Sequence, residues 1–366
     1  MFRGSALVLG VFALLGCGAR GETGASSTNP PVPAPGVAAG YEVHEWGLVR
    51  GGVGDAVVVG GSIPHTEPMP VAKPILYFHL AGDASIDARV TARMGAGGTI
   101  VETWPLGGAT GAREASWSAR VTRGSCHHAR LPGPGDAPCF ALADGCEAST
   151  LSQVESDDAD CVTVGTQRAN HLFYRGSMRG VDVLPLVAER LADGRIRVRN
   201  RGAEPIPGVL VRVRLANGTA GVTDAASWRA APQPGAQLVL DAPAGSTADA
   251  ASEVGGVLRL LGLTDAEATA FRRAWDPALF GVTTGSGVQS VPPIGPFGSP
   301  VYPVHAQADA PVGTVAAAPA LPPRPTDALV YFLPPSVIER LSTLAFSPRP
   351  TAVKRAIAVW FELPSP

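Results

Sequence analysis

Residues 41–49 read Tyr41-Glu42-Val43-His44-Glu45-Trp46-Gly47-Leu48-Val49. Apolar and polar positions alternate only in part, which is the pattern of a β-strand whose two faces are both partly covered. Working outward, Pro74–Leu80 (PILYFHL) is a short continuous apolar run bounded by proline and glycine, as expected of a buried strand. Ile86–Arg93, Thr99–Trp104 and Ala115–Val121 follow at short spacing with glycine-bearing turns between them. Further candidate strands lie at His171–Arg175, Leu184–Glu189, Arg195–Arg199, Val209–Leu215 and Gln237–Leu240, and a last one at Arg355–Leu363. The repetition predicts a mainly β (α+β) fold of antiparallel, β-sandwich-like sheets.

Two helix starts are signalled in the C-terminal third, where two or three short helices are expected. Thr264-Asp265-Ala266-Glu267 has the form of a capping box, opening a helix to about Trp275 that Pro277 should stop. Ser336-Val337-Ile338-Glu339 has the same form and predicts a helix to about Ala345. Between them, 283–327 is a long Pro-, Gly- and Ala-rich stretch that reads as a surface excursion. The division is therefore a β-rich region 41–245 with a cysteine-bearing insertion 122–168, then an α+β region 246–363.

Composition narrows the function classes. Of 366 residues, 45% are hydrophobic, enough for a core, and only 16% are charged, with a formal net charge of −2. The 44 glycines and 35 prolines argue against a helical bundle. Lys73 and Lys354 are the only lysines, and no basic patch interleaved with aromatics occurs, which argues against nucleic-acid binding.

The N-terminus predicts export. Arg3 precedes an apolar stretch, Ala6–Leu15, that is shorter than the about 20 residues needed to span a bilayer. Leu14-Leu15-Gly16-Cys17 resembles a bacterial lipobox, so residues 1–16 read as a signal peptide and Cys17 as the lipidated mature terminus. The Pro-, Gly- and Ser-rich segment that completes 17–40 reads as a flexible tether. With no acidic residue directly after Cys17, sorted lipoproteins point by resemblance to the outer membrane.

Cys126, Cys139, Cys146 and Cys161 form an even set within one polar segment, as expected of two disulfides in an oxidising compartment. Three connectivities are open, and the nested pattern Cys126–Cys161 with Cys139–Cys146 is favoured. A metal site with the adjacent His127 and His128 is the lesser reading, because the intervening lengths of 12, 6 and 14 residues lack tight zinc-type pairs. The run Glu155-Ser156-Asp157-Asp158-Ala159-Asp160 lacks the glycine and final glutamate of a calcium loop and reads as solvated. Arginines that alternate with apolar residues at Arg195, Arg197 and Arg199, and at Arg212 and Arg214, read as the solvated face of a sheet.

His44-Glu45-Trp46-Gly47 resembles the signature of an uncharacterised family of exported bacterial proteins carrying His-Glu-Trp-Gly-Thr. Other blocks similar to that family are Lys73–Phe78, Glu102–Pro105, Phe173–Gly176, the Leu263–Trp275 helix and Val330–Pro334, so the resemblance runs through most of the chain after the tether. Leu48 departs from it, as does the Pro-rich excursion. The resemblance implies an exported, mainly β protein and no particular activity.

No G-x-S-x-G, S-x-x-K, H-E-x-x-H or P-loop occurs, so no catalytic residue or cofactor is assigned. His44, Glu45, His79 and His171 fall on or beside predicted strands and form a candidate binding or metal set. Arg175 is a candidate ion-pair partner of Glu45 or Glu102. The expectation is a membrane-tethered, non-catalytic binding or structural β module at the cell envelope, meeting a partner or glycan at the surface; the alternative is a metal-dependent hydrolase using the His/Glu cluster.

Overall fold

The computed structural model describes residues 39–51, 69–82, 85–105, 109–127, 153–178, 183–215, 222–228, 232–282 and 327–363. Cys17, His128, Cys139, Cys146 and nearly all of the 283–327 excursion lie outside them. The described strands are β1 Ala39–Gly51, β2 Met69–Leu80, β3 Ile86–Met94, β4 Gly98–Trp104, β5 Ala109–Gly111, β6 Glu114–Thr122, β7 Cys161–Val164, β8 Gln167–Ala169 and β9 Leu172–Met178. They continue as β10 Leu186–Arg190, β11 Ile196–Asn200, β12 Leu210–Leu215, β13 Val222–Trp228, β14 Gln237–Leu240, β15 Asp327–Phe332, β16 Ser342–Ser347 and β17 Pro350–Glu362. The helices are α1 Thr247–Leu260, α2 Asp265–Phe280 and α3 Pro335–Leu341.

The protein is mainly β, with three sheets among the described residues. The central one has eight strands in the order β13-β12-β15-β17-β1-β2-β9-β4. Its pairs are antiparallel except β1 with β17, which run parallel from one end of the described chain to the other. Residues on both sides of position 245 thus build one sheet, and the described residues fall in a single compact unit.

The partial alternation of β1 has a direct cause. Tyr41, Val43 and Val49 enter a core shared with the six-stranded sheet β16-β3-β6-β7-β8 and the three-stranded sheet β10-β11-β14. Trp46 and Leu48, on the other face, enter a core shared with α1 and α2 through Val254, Leu258, Phe271 and Trp275. The central sheet is thereby buried on both faces: helices on one, smaller sheets on the other. Trp46 is an anchor of the helix side. Its ring meets Phe271 edge-on at 5.3 Å, and its indole N–H donates to the Tyr77 hydroxyl at 3.2 Å.

Several expectations are corrected. α2 continues past Pro277 to Phe280 and ends at Gly281, whose φ of 65° is the left-handed cap conformation. The Ser336 capping box does not form: α3 starts on Pro334-Pro335 without a side-chain cap and stops at Leu341, and Ser342–Ser347 is strand β16. Arg212 is not on a solvated face. The three-stranded sheet covers it, and its guanidinium donates to the carbonyls of Leu240, Asp241 and Gly194 and pairs with Asp327 at 3.0 Å. Arg195 and Arg197 are exposed and pair with Asp193 and Glu189. The acidic run is only partly solvated, since Asp160 accepts from the backbone N–H groups of Leu80 and Gly124 and stitches the loop to the sheet. Cys126 and Cys161 form a disulfide that closes a separation of 35 residues. No helix among the described residues is long and apolar enough to cross a membrane.

Candidate functional site

On β1 the side chains of Glu42, His44 and Trp46 share the helix-side face, because strand residues two apart point the same way. Antiparallel pairing sets His79 of β2 opposite Glu42, and Tyr77 opposite His44. His44 and His79 are therefore diagonal neighbours, with ring centroids 4.4 Å apart. Over them lies the first turn of α2. Thr264 caps that helix, its hydroxyl accepting from the Glu267 N–H at 3.1 Å. The Glu267 carboxylate reaches back to accept the Thr264 N–H at 2.8 Å.

The same carboxylate meets both imidazoles. His44 Nδ1 lies 3.0 Å from Oε1 and 2.8 Å from Oε2, and His79 Nε2 lies 2.8 Å from Oε1. On the far side of the His44 ring, Nε2 lies 3.4 Å from Glu42, which is held by the Lys354 ammonium at 2.6 Å. Side-chain exposure is 0% for Glu267, 4% for His44 and 20% for His79. Burial pushes the Glu267 carboxyl up, but the hydrogen bonds of His44 and His79 outweigh it and hold the group at about 2. Burial likewise opposes charge on His79, yet the hydrogen bond and charge of Glu267, with the charges of Asp158 and Asp160, raise it above its usual value. Glu42 is lowered, first by the hydrogen bond from Lys354 and then by that from His44.

The four candidates read from sequence separate into three places. His44 and His79 come together. His171 does not join them: it sits beyond Tyr77, its ring 6.0 Å from the tyrosine ring and its Nδ1 2.7 Å from the Asn170 side-chain oxygen. Glu45 points to the opposite face of the sheet. There it accepts the Tyr174 hydroxyl at 2.7 Å and pairs with Arg355, which also reaches Glu339 at 2.8 Å and the Ser342 carbonyl and hydroxyl. Arg175 pairs with Glu102 at 3.0 Å, so Arg355 takes the place at Glu45 that Arg175 was considered for.

Each residue of His44-Glu45-Trp46-Gly47 thus has a physical task. His44 and Glu45 join two different buried charge clusters, Trp46 fills the helix-side core, and Gly47 lets β2 approach. A Cβ on Gly47 would stand 3.3 Å from the Pro74 backbone and from the Ile357 side chain. Glu267 was missed as a site residue, since its sequence signal was fully accounted for by helix capping. Glu42 and Lys354 carried no signal beyond their charge.

Chemically, His44, His79 and Glu267 each offer one ligand atom, and these three atoms lie within 4.8 Å of one another. Two imidazoles and a carboxylate form a donor set suited to a zinc-like cation, or to sharing protons between fixed partners. Compared with known proteins, the chain matches no family model and no curated sequence.

Proposed function

We propose that the chain is an exported envelope protein, lipidated at Cys17, whose folded unit is a non-catalytic module that engages a partner at the cell surface. The observation that carries export is the Cys126–Cys161 disulfide, a bond that persists in oxidising compartments and is rare in the cytosol. The lipobox-like Leu14-Leu15-Gly16-Cys17 and the Pro- and Gly-rich segment after it supply the anchor and spacer in this reading. Burial supports the non-catalytic part. The Glu267 side chain is fully enclosed, and its oxygens are occupied by two imidazoles and a backbone N–H. A metal-dependent hydrolase would draw on the same three residues and would need room for a substrate beside Glu267, whose side chain is 0% exposed.

The test is metabolic labelling of the full chain with an alkyne-bearing fatty acid in a bacterial host, beside a Cys17→Ser variant. Label and membrane association in the wild type, both lost in the variant, are the expected result. An unlabelled wild type, or a variant still held in the membrane fraction, would overturn the tether.

A further inference from the structure

We propose that His44, His79 and Glu267 are the protein ligands of one zinc ion that pins the first turn of α2 to β1 and β2.

A carboxylate only accepts hydrogen bonds. His44 has a carboxylate against each nitrogen, Glu267 at Nδ1 and Glu42 at Nε2. Nδ1 faces the enclosed Glu267 carboxylate at 2.8 Å, a gap that a proton or a cation can bridge. A cation at Nδ1 takes the place of one proton and leaves Nε2–H to donate to Glu42. The result is a carboxylate–histidine–metal relay, in which the outer carboxylate fixes the tautomer and the ring orientation. Glu42 is itself held by Lys354, so the relay has a fixed far end.

Glu267 is prepared in the same way. One oxygen, Oε2, is already oriented by the Thr264 N–H, while Oε1 is approached by both His44 Nδ1 and His79 Nε2 at 3.0 Å and 2.8 Å. Three donors converge from three elements, β1, β2 and α2, whose backbones are fixed by sheet pairing and a closed capping box. Zinc–nitrogen and zinc–oxygen bonds of about 2.0–2.2 Å require neighbouring donors to spread slightly beyond hydrogen-bonding distance. The remaining coordination position falls to water, and the 20% exposure of His79 gives the site contact with solvent.

The ion joins the sheet to α2, so binding is expected to stabilise the whole helix-side core. It does so independently of the tether, because Cys17→Ser leaves all three ligands in place.

The experiment uses the full chain, extracted in detergent from cells grown with zinc, and measures metal by mass spectrometry beside His79→Ala and Glu267→Gln. About one zinc per folded wild-type chain is expected, falling at least about tenfold in both variants. Added zinc should raise the melting temperature of the chelator-stripped wild type and leave that of His79→Ala unmoved. A folded wild type that holds no zinc and shows no melting response to it would overturn the proposal. So would zinc retained in both variants, which would place the ion elsewhere. If the variants fail to fold, cobalt(II) added to the stripped wild type decides. Intense visible bands of a four- or five-coordinate nitrogen–oxygen site support the assignment, and the weak spectrum of six-coordinate cobalt(II) refutes it.

Discussion

His44 and Glu45 are adjacent in sequence and enter opposite faces of one strand, and the two buried charge clusters they join are built differently. On the helix side, Glu267 and Glu42 face imidazoles, whose charge depends on pH and whose ring nitrogens can give up protons to a metal. On the sheet side, Glu45 faces the Arg355 guanidinium, the Tyr174 hydroxyl and Ser342, a set with a permanent cation and donors already committed. Arg355 is held above even its ordinary value, with burial opposed first by the charge of Glu45, and burial pushes the Tyr174 hydroxyl up as well. One cluster offers donors that a metal can compete for, whereas the other is a fixed joint between β1, β9, β17 and α3.

Breaking the fixed joint should cost most. Arg355→Met strands Glu45 in a buried, unpaired state and should destabilise the protein by about 3–5 kcal/mol in urea unfolding, without removing the zinc ligands. Replacing both partners, as in Glu45→Leu with Arg355→Met, should recover much of that loss. Glu267→Gln is the matching change on the other face. Glutamine still serves in a capping box, so the expected loss is smaller, about 1–3 kcal/mol, and metal binding goes with it. A result in which Glu267→Gln costs as much as Arg355→Met would erase the distinction between the faces.

A third change probes the strand that separates them. Gly47→Ala places a methyl 3.3 Å from Pro74 and Ile357, where the neighbours must give slightly, and about 1 kcal/mol of destabilisation is expected. The last expected effect is a change of slope with pH rather than a fixed loss. Asp276 lies on α2 with Glu267, but its partner is the single guanidinium of Arg272, and burial outweighs that pair to push its carboxyl up to about 6. Because the folded value lies above the ordinary 3.8, the folded state binds the proton more tightly. Stability should therefore decline as pH rises from about 4 through 6, and Asp276→Asn should flatten the profile over that window.

How much of this was legible in the sequence follows from the range of the interactions. The partial alternation of Tyr41–Val49 and the apolar run Pro74–Leu80 reported a sheet covered twice, because burial on each face leaves its mark in the local pattern. β16 had a local mark too, Leu344 and Phe346 packing inward between exposed Thr343, Ala345 and Ser347, but a capping-box match at Ser336 obscured it. The site was less accessible. His44 and Glu267 are 223 residues apart, and a capping box announces where a helix begins, not what lies under its first turn. His171 groups with His44 and His79 in the sequence because all three fall on or beside predicted strands. The spatial order β1-β2-β9 places Tyr77 between His44 and His171, and strand order is a tertiary fact. Arg212 failed for a related reason: alternation predicts which side chains share a face, and only the packing of a third sheet decides whether that face is wet.

The helix-side cluster is proposed to hold an exchangeable zinc ion, while the sheet-side cluster is permanent. Zinc-edge X-ray absorption on the full chain tests it most directly. The expected spectrum has a first shell of nitrogen and oxygen at about 2.0–2.1 Å with outer-shell scattering from two imidazoles. A sulfur shell near about 2.3 Å would assign the ion to cysteine thiols instead, and a folded chain with no zinc edge would contradict the claim outright.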